Sequence, residues 1–144
     1  MLSGRCLCEA IVYEIEGALG PIFNCHCSKC RRWHGSAFRT RASVHIDQFR
    51  WVHGESSLSA YTLGNVTKHF CSVCGSNLIS TYENRPTVIG VPLGGLEQHP
   101  GATPQAHIFV DSKSPWFEIV DDLPQFPAWP GDEATVRTTA KDET

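Results

Sequence analysis

A mainly β domain with little helix is what this sequence predicts, and three observations predict it. Apolar residues fall in short runs with two-residue alternation, as in Ala10-Ile11-Val12-Tyr13-Glu14-Ile15 and Asn77-Leu78-Ile79-Ser80-Thr81-Tyr82, the pattern of half-buried strands. Polar turns rich in glycine and proline separate these runs, 12 glycines and 9 prolines in 144 residues. Seven cysteines stand in close groups of the kind that fasten a β domain with many loops.

The length is that of one domain, able to bury roughly two-thirds of its unfolded surface. A single domain over 1–130 and a frayed tail over 131–144 are expected, because after Trp129 the chain turns to Pro, Gly, Thr and charge. Hydrophobic content of 41% and charged content of 19% are those of a globular protein. No apolar run approaches the roughly 20 residues that span a bilayer, and Met1-Leu2-Ser3-Gly4-Arg5 lacks the apolar region of a signal peptide. A cytoplasmic protein without a membrane partner is expected. The formal charge of −3 makes nucleic acid an unlikely partner, since a nucleic-acid footprint needs a basic surface.

Taken in order, Gly4 to Ile15 reads as one strand with Cys6 and Cys8 on the same face. Gly17 to Pro21 is a turn, and Ile22-Phe23-Asn24 runs extended into Cys25-His26-Cys27-Ser28-Lys29-Cys30. Arg31 to Gly35 predicts one short helical turn stopped by Gly35. Strands follow at Ser36–Val44, Phe49–His53, Ser59–Tyr61, Ser76–Tyr82 and Thr87–Val91, with Asn65–Phe70 running into the knuckle Cys71-x-x-Cys74-Gly75 and a turn around Asn84-Arg85-Pro86. Gly94, Gly95, Pro100 and Pro104 mark a loop before the strand-like Ala106–Val110, and Trp116–Ile119 is the last expected element. Gly75, after a C-x-x-C, suits a positive φ that points backbone N–H groups at sulfur.

An odd number of cysteines cannot close a complete disulfide framework, and the expected compartment disfavours one. The spacings Cys6-x-Cys8, Cys25-x-Cys27-x-x-Cys30 and Cys71-x-x-Cys74 fit metal sites. Zinc bound to thiolates needs sulfurs at about 2.3 Å in a tetrahedron, hence about 4 Å from one another. Seven divides into a closed set of four and an open set of three, and an open fourth position separates a catalytic zinc from a structural one. Spacing alone also allows Cys71 and Cys74 to complete the shell of the central triplet.

Gly4-x-Cys6-x-Cys8, Cys25-His26-Cys27-Ser28-x-Cys30-Arg31, Gly35-Ser36-x-Phe38, Phe70-Cys71-x-x-Cys74-Gly75-Ser76 and His107-Ile108 together resemble the glutathione-dependent formaldehyde-activating enzyme family, whose domain centromere protein V shares. The resemblance runs from about Gly4 to about Phe126. It implies the β-tent, a zinc-binding fold of several short, coiled antiparallel sheets, and two zinc ions per chain. A structural ion would sit on Cys6, Cys8, Cys71 and Cys74, and a catalytic ion on Cys25, Cys27 and Cys30. It further implies a carbon–sulfur lyase or synthase acting on thiol–aldehyde adducts, of the S-(hydroxymethyl)glutathione synthase type, with glutathione or a similar small thiol as partner. Three departures stand out: Glu9 where the family usually has Gly, Lys68-His69 where it usually has Arg before Phe-Cys, and Gly95-Leu96-Glu97 in place of a loop resembling Gly-x-Leu-Asp.

Near the triplet, Lys29, Arg31 and Arg32 are candidates to bind substrate carboxylates, the arginines most effectively through the guanidinium fork. His34 is a candidate substrate-binding group, fourth ligand or proton shuttle. His26, between two ligands in extended chain, should point away from the metal. Trp33 and Phe38 fit a pocket wall or the core. Two other readings compete with the enzyme: a zinc-stabilised β module that binds a protein or nucleic-acid partner, and a metal-free redox dithiol at Cys27 and Cys30.

Overall fold

The computed structural model describes residues 1–130, so the expected tail, 131–144, lies outside the described residues. In chain order the elements are β1 (Leu2–Arg5), β2 (Val12–Ile15), β3 (Ile22–Cys25), α1 (Ser28–His34), β4 (Arg39–His45), β5 (Phe49–His53), β6 (Leu58–Leu63), β7 (Val66–Cys71), β8 (Asn77–Tyr82), β9 (Val88–Pro92) and β10 (Ala106–Ile108). They form a three-stranded sheet, β1-β2-β5, and a seven-stranded sheet, β10-β3-β4-β9-β8-β7-β6. The fold is mainly β, as expected. Pairing is antiparallel except at one edge, where β10 runs parallel to β3 with Ala106 opposite Phe23.

Two expectations need correction. Gly4–Ile15 is not one strand but a hairpin, with Leu2 opposite Ile15 and Arg5 opposite Val12. Cys6 and Cys8 therefore occupy the connecting turn. The reversal is made at Glu9, whose φ is 69° and whose N–H donates to the Cys6 carbonyl at 3.1 Å. Trp116–Ile119, expected as a last element, is neither helix nor strand. The strand before it stops at Ile108 because Phe109 turns to φ 57°.

The two faces of the large sheet differ. On one, Val44, Ile79, Ile89 and Val91 pack with Ile11, Tyr13 and Ile15 of the small sheet. Such side chains contribute roughly 1.5–3 kcal/mol each when fully buried. Gly4 is required under the Tyr13 ring, where a Cβ would stand 2.2 Å from it.

On the other face, cross-strand register sets Cys25 beside Arg39, Ser43 beside Gly90, Gly90 beside Ser80, and Lys68 between Ser80 and Tyr61. Alternation along each strand puts Arg41 on this face with Arg39 and Ser43. The face is polar yet buried: Arg39 is 3% exposed, Arg41 2% and Lys68 6%. α1 supplies Cys30 beside it, and the segment after β10 brings Phe109, Phe126 and Trp129 against the cysteines. The Trp129 ring stands 5.2 Å from the Arg41 guanidinium carbon, close enough for a cation–π contact.

Candidate metal centres

The first cluster joins the β1–β2 turn to the end of β7 and the turn that follows. The sulfurs of Cys6, Cys8, Cys71 and Cys74 all lie within 4.8 Å of one another, with Cys6 to Cys8 at 3.6 Å and Cys8 to Cys71 at 3.8 Å. A tetrahedron of Zn–S bonds of about 2.3 Å has edges of about 3.8 Å, so this donor set fits zinc.

The protein holds the cluster by its own hydrogen bonds as well. Ile11 N–H donates to Cys6 Sγ at 3.3 Å. Ser76 Oγ accepts from Leu7 N–H at 2.8 Å, which leaves its proton for Cys74 Sγ at 3.2 Å. That hydroxyl, with backbone groups of Ser76 and Cys8, brings the Cys74 thiol down to about 5. Gly75 has the expected positive φ, 79°, but its N–H donates to the Cys71 carbonyl at 2.8 Å rather than to sulfur.

The second cluster is local in sequence. Cys25 ends β3, Cys27 caps α1 in an extended conformation, and Cys30 lies one helical turn on. Cys30 N–H donates to Cys27 Sγ at 3.2 Å. The three sulfurs lie within 4.8 Å of one another and all are buried, so the three-thiol set is also compatible with a metal ion. The grouping is four and three; Cys71 and Cys74 do not join the triplet.

Buried charge favours one thiolate among these three sulfurs, at Cys30. Hydrogen bonds from Cys25 and Cys27, and then the charges of Arg39 and Lys68, hold the Cys30 thiol well below its ordinary range. The Cys27 and Cys30 thiols keep Cys25 well above it. For Cys27 the bond with Cys25 lowers the value, but the bond with Cys30 and burial prevail and push it up to about 11. Burial and the neighbouring Arg39 push Lys68 down to about 7, against the pull of Cys30 and Cys27. Burial opposes the charge on Arg39 too, but Cys30, Tyr82 and Cys25 hold its proton more firmly. These cations escaped the sequence reading, although Arg39-x-Arg41 on one strand face was a signal in plain view.

The three residues after the triplet diverge. Arg31 Nε donates to the Ser112 carbonyl at 3.1 Å, and Arg32 is exposed. His34 points inward, with Nδ1 3.2 Å from Asn77 Nδ2. Asn77 Nδ2 also donates to the Trp33 carbonyl at 3.2 Å, so the amide nitrogen faces both groups and Nδ1 must accept. The proton of neutral His34 is then on Nε2, a buried atom with no hydrogen-bond partner. Burial, with Arg39 and Lys68 and against Cys30, pushes His34 down to about 3. His34 and Asn77 border a cleft of about 420 Å³ with Arg5, Gly95 and Glu97.

His26 points away from the triplet sulfurs, as expected. Its Nε2 meets His107 Nδ1 at 2.8 Å, and His107 Nε2 meets Asp121 Oδ2 at 2.9 Å. The carboxylate fixes the His107 proton on Nε2, so His26 donates from Nε2. Phe38 and Phe117 pack on the His26 ring. The His107–Asp121 link was not foreseen from the sequence; only His107-Ile108 hinted at it.

Fold and clusters define a class: a β protein built on one four-cysteine and one three-cysteine centre. The chain belongs to the glutathione-dependent formaldehyde-activating enzyme family, whose model matches residues 1–112. Among solved structures it is similar to the crystal structure of a Rhodobacter sphaeroides protein from a structural-genomics programme, at 28% identity and a TM-score of 0.58, over 71% of this chain and 97% of that one. Among the described residues no helix is long and apolar enough to cross a membrane.

Proposed function

We propose that the protein is a zinc-dependent enzyme that joins and separates thiols and aldehydes, with glutathione or a similar thiol as one partner. The observation that carries this reading is the three-sulfur cluster, which has no fourth protein ligand grouped with it among the described residues and lies beside buried Arg39 and Lys68. Cys25, Cys27 and Cys30 would hold the catalytic zinc, and Cys6, Cys8, Cys71 and Cys74 the structural one. Zinc on three thiolates would supply an open fourth position where a substrate thiol stays deprotonated near neutral pH.

The protein's own residues do the remainder. Arg39 and Lys68 offset the negative charge of the cluster. His34, neutral and held by Asn77, offers Nε2–H as a donor to the aldehyde oxygen, where charge develops as sulfur attacks carbon. In synthesis one S–C bond forms, the C=O π bond breaks, and the proton lost by the thiol ends on that oxygen; lysis is the reverse. The cleft bordered by His34, Asn77 and Gly95 is also lined by Cys6 of the four-cysteine cluster, and we place the adduct on its His34 side. Arg31 and Arg32 are the remaining candidates for its carboxylates, and Arg31 is the less free, being tied to Ser112.

The test uses zinc-loaded protein against the uncatalysed background, following formation and breakdown of a thiol–aldehyde adduct. Acceleration that disappears in Cys27→Ser, with metal falling from two ions per chain to one and the fold retained, supports the reading. No acceleration in either direction, or full activity in Cys27→Ser, refutes it.

A further inference from the structure

A second cavity, of about 230 Å³, lies between α1 and the β6–β7 hairpin. Trp33 and Tyr61 form one wall, their rings nearly parallel at 20° with centroids 6.1 Å apart, and Phe70 braces Trp33 edge-on at 5.8 Å. Leu63 and Val66 continue the apolar surface. Tyr61 is 54% exposed and Leu63 47%, on β6, the edge strand of the large sheet. Large apolar side chains on an edge strand carry a cost in solubility unless they serve a ligand.

The charges around this wall have one sign. Arg32 and Lys68 line the cavity together with Lys29, and no acidic residue does. The cavity is smaller than the 300–1,000 Å³ or so of drug-sized pockets, which suits one compact molecule and not a peptide. Lys68 joins the two regions: it lines the cavity, while its ammonium stands 3.1 Å from Ser80 Oγ and feels the charge of Cys30 and Cys27.

We propose that this cavity binds a small anion with a flat apolar body, an aromatic carboxylate being the simplest case. The body stacks on Tyr61 and Trp33, and the anionic group meets the cations of the rim. A bound molecule there lies against the lysine that faces the cysteine triplet, which makes the cavity a place for the apolar part of a substrate or for a regulating acid. The site depends on no turnover at the triplet.

The test is calorimetric titration of the zinc-loaded full chain with 2-naphthoate and with its neutral analogue 2-naphthalenemethanol. Saturable one-site binding of the acid is expected, with the alcohol at least several-fold weaker. Tyr61→Ala, an exposed change that leaves the fold intact, should weaken naphthoate about tenfold, the loss of one aromatic contact. Arg32→Gln should narrow the difference between acid and alcohol, and Cys27→Ser should still bind naphthoate, separating this site from the proposed catalysis. Absence of saturable binding, affinity unchanged by Tyr61→Ala, or an acid preference unchanged by Arg32→Gln would each overturn the proposal.

Discussion

Replacing Glu9 by glycine should stabilise the protein, although it deletes a charged side chain beside the four-cysteine cluster. Glu9 holds φ 69° in the turn between β1 and β2. A residue with a Cβ pays roughly 1–2 kcal/mol for the left-handed region, and glycine pays nothing. Glycine loses roughly 0.5–1 kcal/mol of that advantage through its greater freedom in the unfolded chain. The ion pair removed is weak: Arg5 Nε is 3.9 Å from Glu9 Oε1, both side chains are exposed, and Arg5 retains Glu97 at 3.0 Å. A net gain of about 0.5–1 kcal/mol remains, or roughly 2–4 °C in Tm at this chain length. Thermal unfolding at fixed free zinc measures it, because bound metal itself shifts Tm. Glu9→Ala is the control, since alanine keeps the strain and should bring no gain. A Tm for Glu9→Gly at or below that of Glu9→Ala would refute the reasoning.

Gly54→Ala should do the opposite: φ is 84° and the new Cβ would stand 1.9 Å from the Ala10 carbonyl oxygen, so a loss of about 3 kcal/mol or more is expected in the midpoint of urea unfolding. His34, pushed down to about 3 by burial, binds its proton more weakly folded than unfolded. Stability should therefore fall as pH drops from about 6.5 toward 3, and the slope at pH 5–6.5 should be smaller by about one proton, roughly 1.4 kcal/mol per pH unit, in His34→Gln. Cys71→Ser strikes the four-sulfur cluster at a fully buried ligand; structural zinc contributes on the order of 10–16 kcal/mol, as much as a domain's whole stability, so loss of cooperative unfolding and of near-ultraviolet dichroism is expected. A folded Cys71→Ser would count against that cluster as a fastening.

What the sequence made legible follows from where the constraints are local. Cysteine spacing showed which sulfurs could meet but left two groupings open until the structure divided them four and three, and alternation found β4, β8 and β9 because each has one face against apolar neighbours. The N-terminal hairpin stayed hidden because Cys6-Leu7-Cys8 continues the alternation and the reversal is made by Glu9, a residue with no turn chemistry. The buried cations stayed hidden for a different reason. Arg39, Arg41 and Lys68 are side chains that ordinarily mark a solvated face, and only the register of β3, β4, β7 and β8 brings Arg39 and Lys68 near Cys30 and sets Arg41 on the same buried face. Tertiary pairing of His26 with His107, 81 positions apart, was likewise beyond any reading of neighbours.

Around the cysteine triplet and the His26–His107 pair, part of the packing comes from residues past the family match at 112. Phe117 leans on His26, Asp121 anchors His107, and Phe126 and Trp129 pack on the group formed by Ile108 and the three cysteines. The packing around the three-cysteine cluster is thus completed by a segment outside the matched span.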